Sequence, residues 1–66
     1  MLDKLHDCDI CGDINLKVMI DGATKSGRWG CMCTVCHSNI GTGLGIGRGQ
    51  KYEWNESQLR YIKVDG

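Results

Sequence analysis

The sequence predicts a small, mostly-β domain held together by a metal rather than by its core. Three observations carry that expectation. The chain has 66 residues with two Trp, two Tyr, no Phe and no Pro. Ordering each residue costs about 1.5 kcal/mol, and a chain of this size buries too little apolar surface to offset that alone. Its five cysteines include two C-x2-C pairs, Cys8-Asp-Ile-Cys11 and Cys33-Thr-Val-Cys36, with 21 residues between them. Between and after the pairs, apolar residues recur with period two, the signature of strands.

The paired cysteines come first. C-x2-C, a loop of this order, then C-x2-C is a tetrahedral zinc pattern. Two intervening residues let the chain turn so that both sulfurs reach one ion about 2.3 Å away. The predicted ligands are Cys8, Cys11, Cys33 and Cys36, holding one structural Zn²⁺. Gly12 suits the left-handed position that closes such a turn. His37 holds the matching place in the second turn, where histidine fits less easily. Cys31 lies too close to Cys33 for a normal chelate loop and reads as a small strand residue. His6 or His37 replacing a cysteine is the lesser alternative.

Other chemistries of the same residues carry less weight. Cys33-Thr-Val-Cys36-His37 matches the C-x-x-C-H haem attachment pattern, but no helical haem pocket is visible. The first turn resembles one rubredoxin knuckle, without rubredoxin's second glycine, proline or aromatic core. Trp29-Gly-Cys-Met-Cys33 has a C-x-C rather than a thioredoxin spacing. A closed tetrathiolate leaves no position for a reactive water, and no nucleophile–base or paired-carboxylate set stands out. No enzymatic role is expected.

The insert is read as a hairpin. Ile14, Leu16, Val18 and Ile20 alternate with Asn15, Lys17 and Met19, as in a half-buried strand. Asp21-Gly-Ala-Thr-Lys-Ser-Gly27 supplies turn residues, and Arg28–Met32 returns. Knuckle, hairpin, knuckle is the layout of a zinc ribbon with about three antiparallel strands. Gly41-Thr-Gly-Leu-Gly-Ile-Gly-Arg-Gly49 has glycine at every second place. It is read as the third strand, with a bare face for close packing or for contact; a flexible loop is the remaining reading. Gln50-Lys-Tyr-Glu-Trp54 alternates again. Asn55-Glu-Ser-Gln58 could cap a short helix, while Leu59–Val64 reads equally well as an edge strand. The whole chain, 1–66, is one domain with its core over about 8–54, and with 1–5 and 65–66 expected to fray.

Charge bounds the partners. The formal net charge is zero, which disfavours sequence-blind nucleic-acid or membrane affinity. Residues 1–13 carry Asp3, Asp7, Asp9 and Asp13 against Lys4, and the remainder is mildly basic. A protein-interaction module is the preferred function. The alternative is a nucleic-acid-binding ribbon using Lys17, Lys25, Arg28, Arg48, Lys51, Tyr52 and Trp54, where basic and aromatic groups interleave. The candidate contact surface is Lys25, Arg28, Gly43, Gly45, Gly47, Arg48, Lys51, Tyr52 and Trp54. Tyr52 and Trp54 have a competing role in a core so short of aromatics. The protein is expected as a monomer or a weak homodimer paired through a ribbon edge.

Two segments together resemble a known group. Asp21-Gly-Ala-Thr-Lys-Ser-Gly-Arg-Trp29 with Met32-Cys-Thr-Val-Cys36, then Gly43-Leu-Gly-Ile-Gly-Arg-Gly-Gln-Lys-Tyr52, look like small zinc-ribbon proteins encoded by bacteriophages and prophages. The likeness spans about residues 8–53. It implies the same four cysteine ligands and a phage protein in the cytoplasm of a bacterial host, a setting and a fold rather than a mechanism. The expected partner, a host or phage protein such as the host's transcription or replication machinery, follows instead from the zero net charge, the small size, an exposed ribbon edge and the acidic N-terminal end. The N-terminal residues contain no apolar run long enough for a signal or membrane segment, which agrees with that setting.

Overall fold

A computed structural model describes residues 2–66. Its elements in order are β1 (Val18–Ala23), β2 (Trp29–Met32), α1 (Thr34–Ile40), β3 (Gly49–Asn55) and β4 (Arg60–Asp65). The strands form one antiparallel sheet in the order β2-β1-β3-β4. The small, mostly-β class anticipated from the cysteines and the alternation is the class observed, with four strands and one short helix.

The first hairpin is present but lies further along the chain. β1 begins at Val18 because residues 13–16 fold back on the N-terminal arm instead of joining the sheet. The Cys8 N–H donates to the Asp13 carbonyl at 2.7 Å and the Leu16 N–H to the His6 carbonyl at 2.8 Å. Asn15 takes a left-handed φ of 51°, which breaks the strand expected from Ile14 onward, and leaves Ile14 exposed. Asp21, Gly22 and Ala23 then belong to β1, pairing with Cys31, Gly30 and Trp29. Only residues 24–28 form the turn. Met19 and Ile20 are both buried, so both faces of β1 are covered there.

The glycine-alternating stretch is not a strand. Gly43, Gly45 and Gly47 have φ of 99°, 121° and 77°. A chain entering that region at every second residue cannot keep a strand's direction. It forms a loop closed by a tight return, with the Gly45 N–H on the Gly49 carbonyl and the Gly49 N–H on the Gly45 carbonyl. Ile46 at its tip is 99% exposed. The bare glycine face therefore does not exist.

Close packing by glycine occurs instead where β1 meets β3. Gly22 pairs with Gly49, and a Cβ on Gly22 would stand 2.7 Å from the Arg48 carbonyl oxygen and 3.0 Å from the Gly49 Cα. Both obstacles are backbone. Gly22→Ala is expected to destabilise the metal-loaded protein by about 1–3 kcal/mol, the usual cost of overpacking, read as a lower urea midpoint. An unchanged midpoint would show that the two strands can separate freely.

The second hairpin settles the C-terminal segment as strand. Asn55 does cap, its Oδ1 accepting the Gln58 N–H at 2.9 Å, but residues 56–59 form a turn into β4 rather than a helix. The core cluster comprises Cys8, Leu16, Met19, Met32, Cys33, Cys36 and Tyr61, with Leu2, Leu5, Tyr52 and Trp54 packed against it. Tyr61, at 0% exposure, carries the core past residue 54. The Tyr61 N–H donates to the Leu2 carbonyl, so residue 2 is tied to the sheet.

Candidate metal centre

The first knuckle is a turn stabilised from both sides. The Gly12 N–H donates to the Cys8 carbonyl at 3.1 Å, and Gly12 has the left-handed φ of 80°. The Asp9 N–H donates to the Cys31 carbonyl at 2.8 Å, while the Cys31 N–H donates to Asp9 Oδ2 at 2.9 Å. Those two bonds fasten the knuckle to β2, whose next residues carry the second cysteine pair.

The second knuckle differs from the expected turn. Cys33 is the N-cap of α1, and its sulfur accepts the Cys36 N–H at 3.4 Å. The cysteine pair is the first turn of a helix, where backbone N–H groups are unsatisfied and favour a thiolate. His37 sits inside that helix with no left-handed strain. Its Nε2 donates to the Gly43 carbonyl oxygen at 3.1 Å and anchors the glycine loop.

These elements bring one sulfur each from Cys8, Cys11, Cys33 and Cys36 within 4.8 Å of one another. Cys11 and Cys33 sulfurs are 3.8 Å apart, the edge of a tetrahedron whose centre lies about 2.3 Å from each sulfur. The donor set fits a tetrahedral, thiolate-loving ion, and it could hold one metal. Three of the four are buried and Cys11 is exposed. Neither histidine belongs to the cluster.

The sulfurs are electrostatically unequal. Burial opposes ionisation of Cys8, but the N–H groups of Cys11, Cys33 and Ile10 overcome it and bring its pKa down to about 6. Burial pushes the Cys36 thiol up to about 12, helped by the neighbouring sulfurs of Cys33, Cys11 and Cys8. Four thiolates cannot coexist here without a cation; a bound metal makes them all anionic.

Cys31 stands outside this set. Burial, then the carboxylates of Asp9 and Asp21, push its pKa up to about 12, so it is a protonated strand thiol. Cys31→Ala is expected to keep one metal per chain and an unchanged Co²⁺-substituted visible spectrum. Altered charge-transfer bands would make Cys31 a ligand.

The basic and aromatic residues singled out in the sequence are spread over several elements. Tyr52 and Trp54 pack against the core. Lys51 stands opposite Ile20 and Asp65 in mid-sheet. Lys17 pairs with Glu56 at 2.7 Å. Lys25 and Arg28 lie at the first hairpin's turn, and the Arg48 carbonyl accepts the Ala23 N–H beside it. Gly43, Gly45 and Gly47 sit in the loop. The site missed by sequence reasoning is a groove of about 380 Å³ between knuckle and hairpin, lined by Asp9, Ile10, Arg28, Trp29, Gly30 and Ile40 among others.

A mostly-β sheet with two cysteine knuckles and one short helix defines a small protein of the zinc-ribbon-like, metal-stabilised kind. No family model, curated protein or solved structure matches the chain. No helix among the described residues is long and apolar enough to cross a membrane.

Proposed function

We propose that this protein is a zinc ribbon whose single Zn²⁺ is structural and whose work is to bind a protein partner. Four thiolates without an open position suit zinc in a structural role. One observation supports the binding role above others. Of four aromatic residues, three lie in or against the core, yet Trp29 is 51% exposed, and Ile10, also on the groove, is 49% exposed. A chain this short of apolar side chains leaves two large ones on one groove, as partner-binding surfaces do.

The nucleic-acid alternative is less favoured, since Tyr52 and Trp54 are partly buried against the core. Four thiolates with one Zn²⁺ also add a formal charge of about −2, which weakens phosphate attraction. A partner in a host's transcription or replication machinery fits the small size, the zero formal charge and the acidic N-terminal end. No catalytic step is assigned to the chain.

Immobilised zinc-loaded protein is expected to retain a stoichiometric partner from bacterial extract and to lose it on Trp29→Ala. Labelled single- and double-stranded oligonucleotides are expected not to bind at tens of micromolar in low salt. Salt-sensitive oligonucleotide binding abolished by Arg48→Ala would replace this reading with the nucleic-acid one. Metal analysis of the purified protein separates zinc from iron.

A further inference from the structure

Resting on the protein-binding reading, the geometry points to an extended, arginine- or lysine-bearing peptide segment as the occupant of the groove beside β2. β2 is an edge strand of the sheet. Its outer side is already used once, by Asp9, which exchanges hydrogen bonds with Cys31. Backbone groups alternate sides along a strand, so Trp29, two residues away, turns its own N–H and C=O to that same outer side. Beyond Asp9 the added pairing stops and the groove begins. A peptide continuing along the edge would meet the Trp29 backbone as an added strand, the mode in which main-chain bonds give affinity and pockets give specificity.

Charge selects the peptide. Asp9 lines the groove. Asp7 and Asp13 are exposed on the same knuckle loop, with Asp7 accepting the Asn15 N–H at its base, and they add to the acidic charge of that end of the chain. Asp21 is fixed at the rim of the indole, accepting the Trp29 Nε1–H at 2.7 Å. A half-exposed indole with a carboxylate held at its edge suits a guanidinium or ammonium over the ring, where cation–π and ionic attraction act together. Ile10 and Ile40 offer apolar contact to the alternate side chains. Thr24 and Ser26 at the tip are mutually satisfied, their hydroxyls 2.9 Å apart and the Thr24 hydroxyl donating to the Arg28 carbonyl. Arg28 is the cationic lining residue. It repels a basic peptide at the tip end and sets its direction, with the cation toward the knuckle.

The probe is a blocked octapeptide alternating arginine and valine, with its glutamate–valine counterpart as control, titrated into ¹⁵N-labelled, zinc-loaded full chain. The arginine peptide is expected to move the Trp29 indole and the Ile10, Trp29 and Ile40 amide resonances, with affinity falling as salt rises. Asp9→Asn keeps an acceptor for the Cys31 N–H and is expected to weaken binding at least tenfold, as is Trp29→Ala. Arg28→Gln is expected to strengthen it. Each variant is checked for metal content and a dispersed spectrum. No shifts at millimolar peptide, shifts away from the groove, or equal binding of the glutamate peptide would overturn the inference. If the octapeptide fails while a partner is still retained from extract, this inference falls and the protein-binding reading stands. If no protein is retained, that reading falls as well.

Discussion

Stripping the metal with a strong chelator is expected to unfold the domain, collapsing its dispersed amide spectrum, and restoring Zn²⁺ is expected to refold it. The core is too small to hold the chain without the ion. Among the described residues the buried apolar side chains are Cys8, Leu16, Met19, Ile20, Met32, Cys33, Cys36 and Tyr61. Three of these are candidate ligands. Removing the metal leaves five non-ligand side chains to order the chain. Structural zinc in peptides of this kind contributes about 10–16 kcal/mol at neutral pH, more than a domain of this size retains in net stability. A chelated protein that keeps its dispersed spectrum would refute metal-dependent folding.

Substitution of one ligand isolates the metal's share. Cys33 is both a ligand candidate and the N-cap of α1. Cys33→Ser preserves the cap, since serine is among the preferred N-cap residues, but removes a thiolate. Loss of an outer-shell partner typically weakens metal binding 10–100-fold. Loss of a ligand is expected to exceed about 100-fold, with unfolding at limiting zinc. The pH dependence has a definite sign. Metal binding holds the four sulfurs as thiolates, with effective pKa values below the ~8.5 of an unfolded cysteine. The stability they contribute is therefore full above that value and is lost as pH falls. Because cysteines in the unfolded, metal-free chain titrate near ~8.5 and are mostly protonated at neutral pH, binding must displace protons. Affinity drops by roughly tenfold per pH unit for each proton displaced.

Much of this site was legible in the sequence because C-x2-C spacing encodes a local turn, and local geometry needs no knowledge of the fold. Gly12 was legible for the same reason. The helix was not. Thr34–Ile40 is seven residues long, buries only Cys36, and exposes Val35, so it shows no apolar stripe with helical period. Its strongest start signal, the N-cap, is a cysteine already explained as a ligand. The glycine alternation misled through period two itself: it is a strand signal only when backbone dihedrals stay extended, and glycine alone among residues carries no preference for that. The groove was invisible because Asp9 and Trp29 are 20 positions apart and meet only through the pairing of the knuckle with β2.

Tyr61 shows how far the C-terminal strand secures that knuckle, and its substitution should have the second-largest effect. Its hydroxyl donates to the Leu16 carbonyl at 2.7 Å and accepts the His6 N–H at 2.9 Å. Its ring meets Trp54 edge-on at 5.1 Å. His6 and Leu16 are themselves bonded to each other across the base of the first knuckle loop, so one phenol clamps both arms beneath Cys8. Tyr61→Phe keeps the ring and removes the hydroxyl from both backbone groups, an expected loss of about 1–3 kcal/mol. Tyr61→Ala also empties the core and is expected to lose about 3–5 kcal/mol, enough to leave the chain unfolded at modest zinc. Both are read as urea midpoints in excess zinc, with zinc affinity measured in parallel. Because folding and metal binding are coupled, Tyr61→Phe should weaken zinc although no ligand has changed. Burial raises the Tyr61 pKa, with the His6 N–H opposing. Its phenolate absorbance in the wild-type chain should therefore emerge above the pH of an ordinary tyrosine. A Phe variant with unaltered midpoint and zinc affinity would mean that the ring alone holds β4, and that the knuckle stands without the hydroxyl.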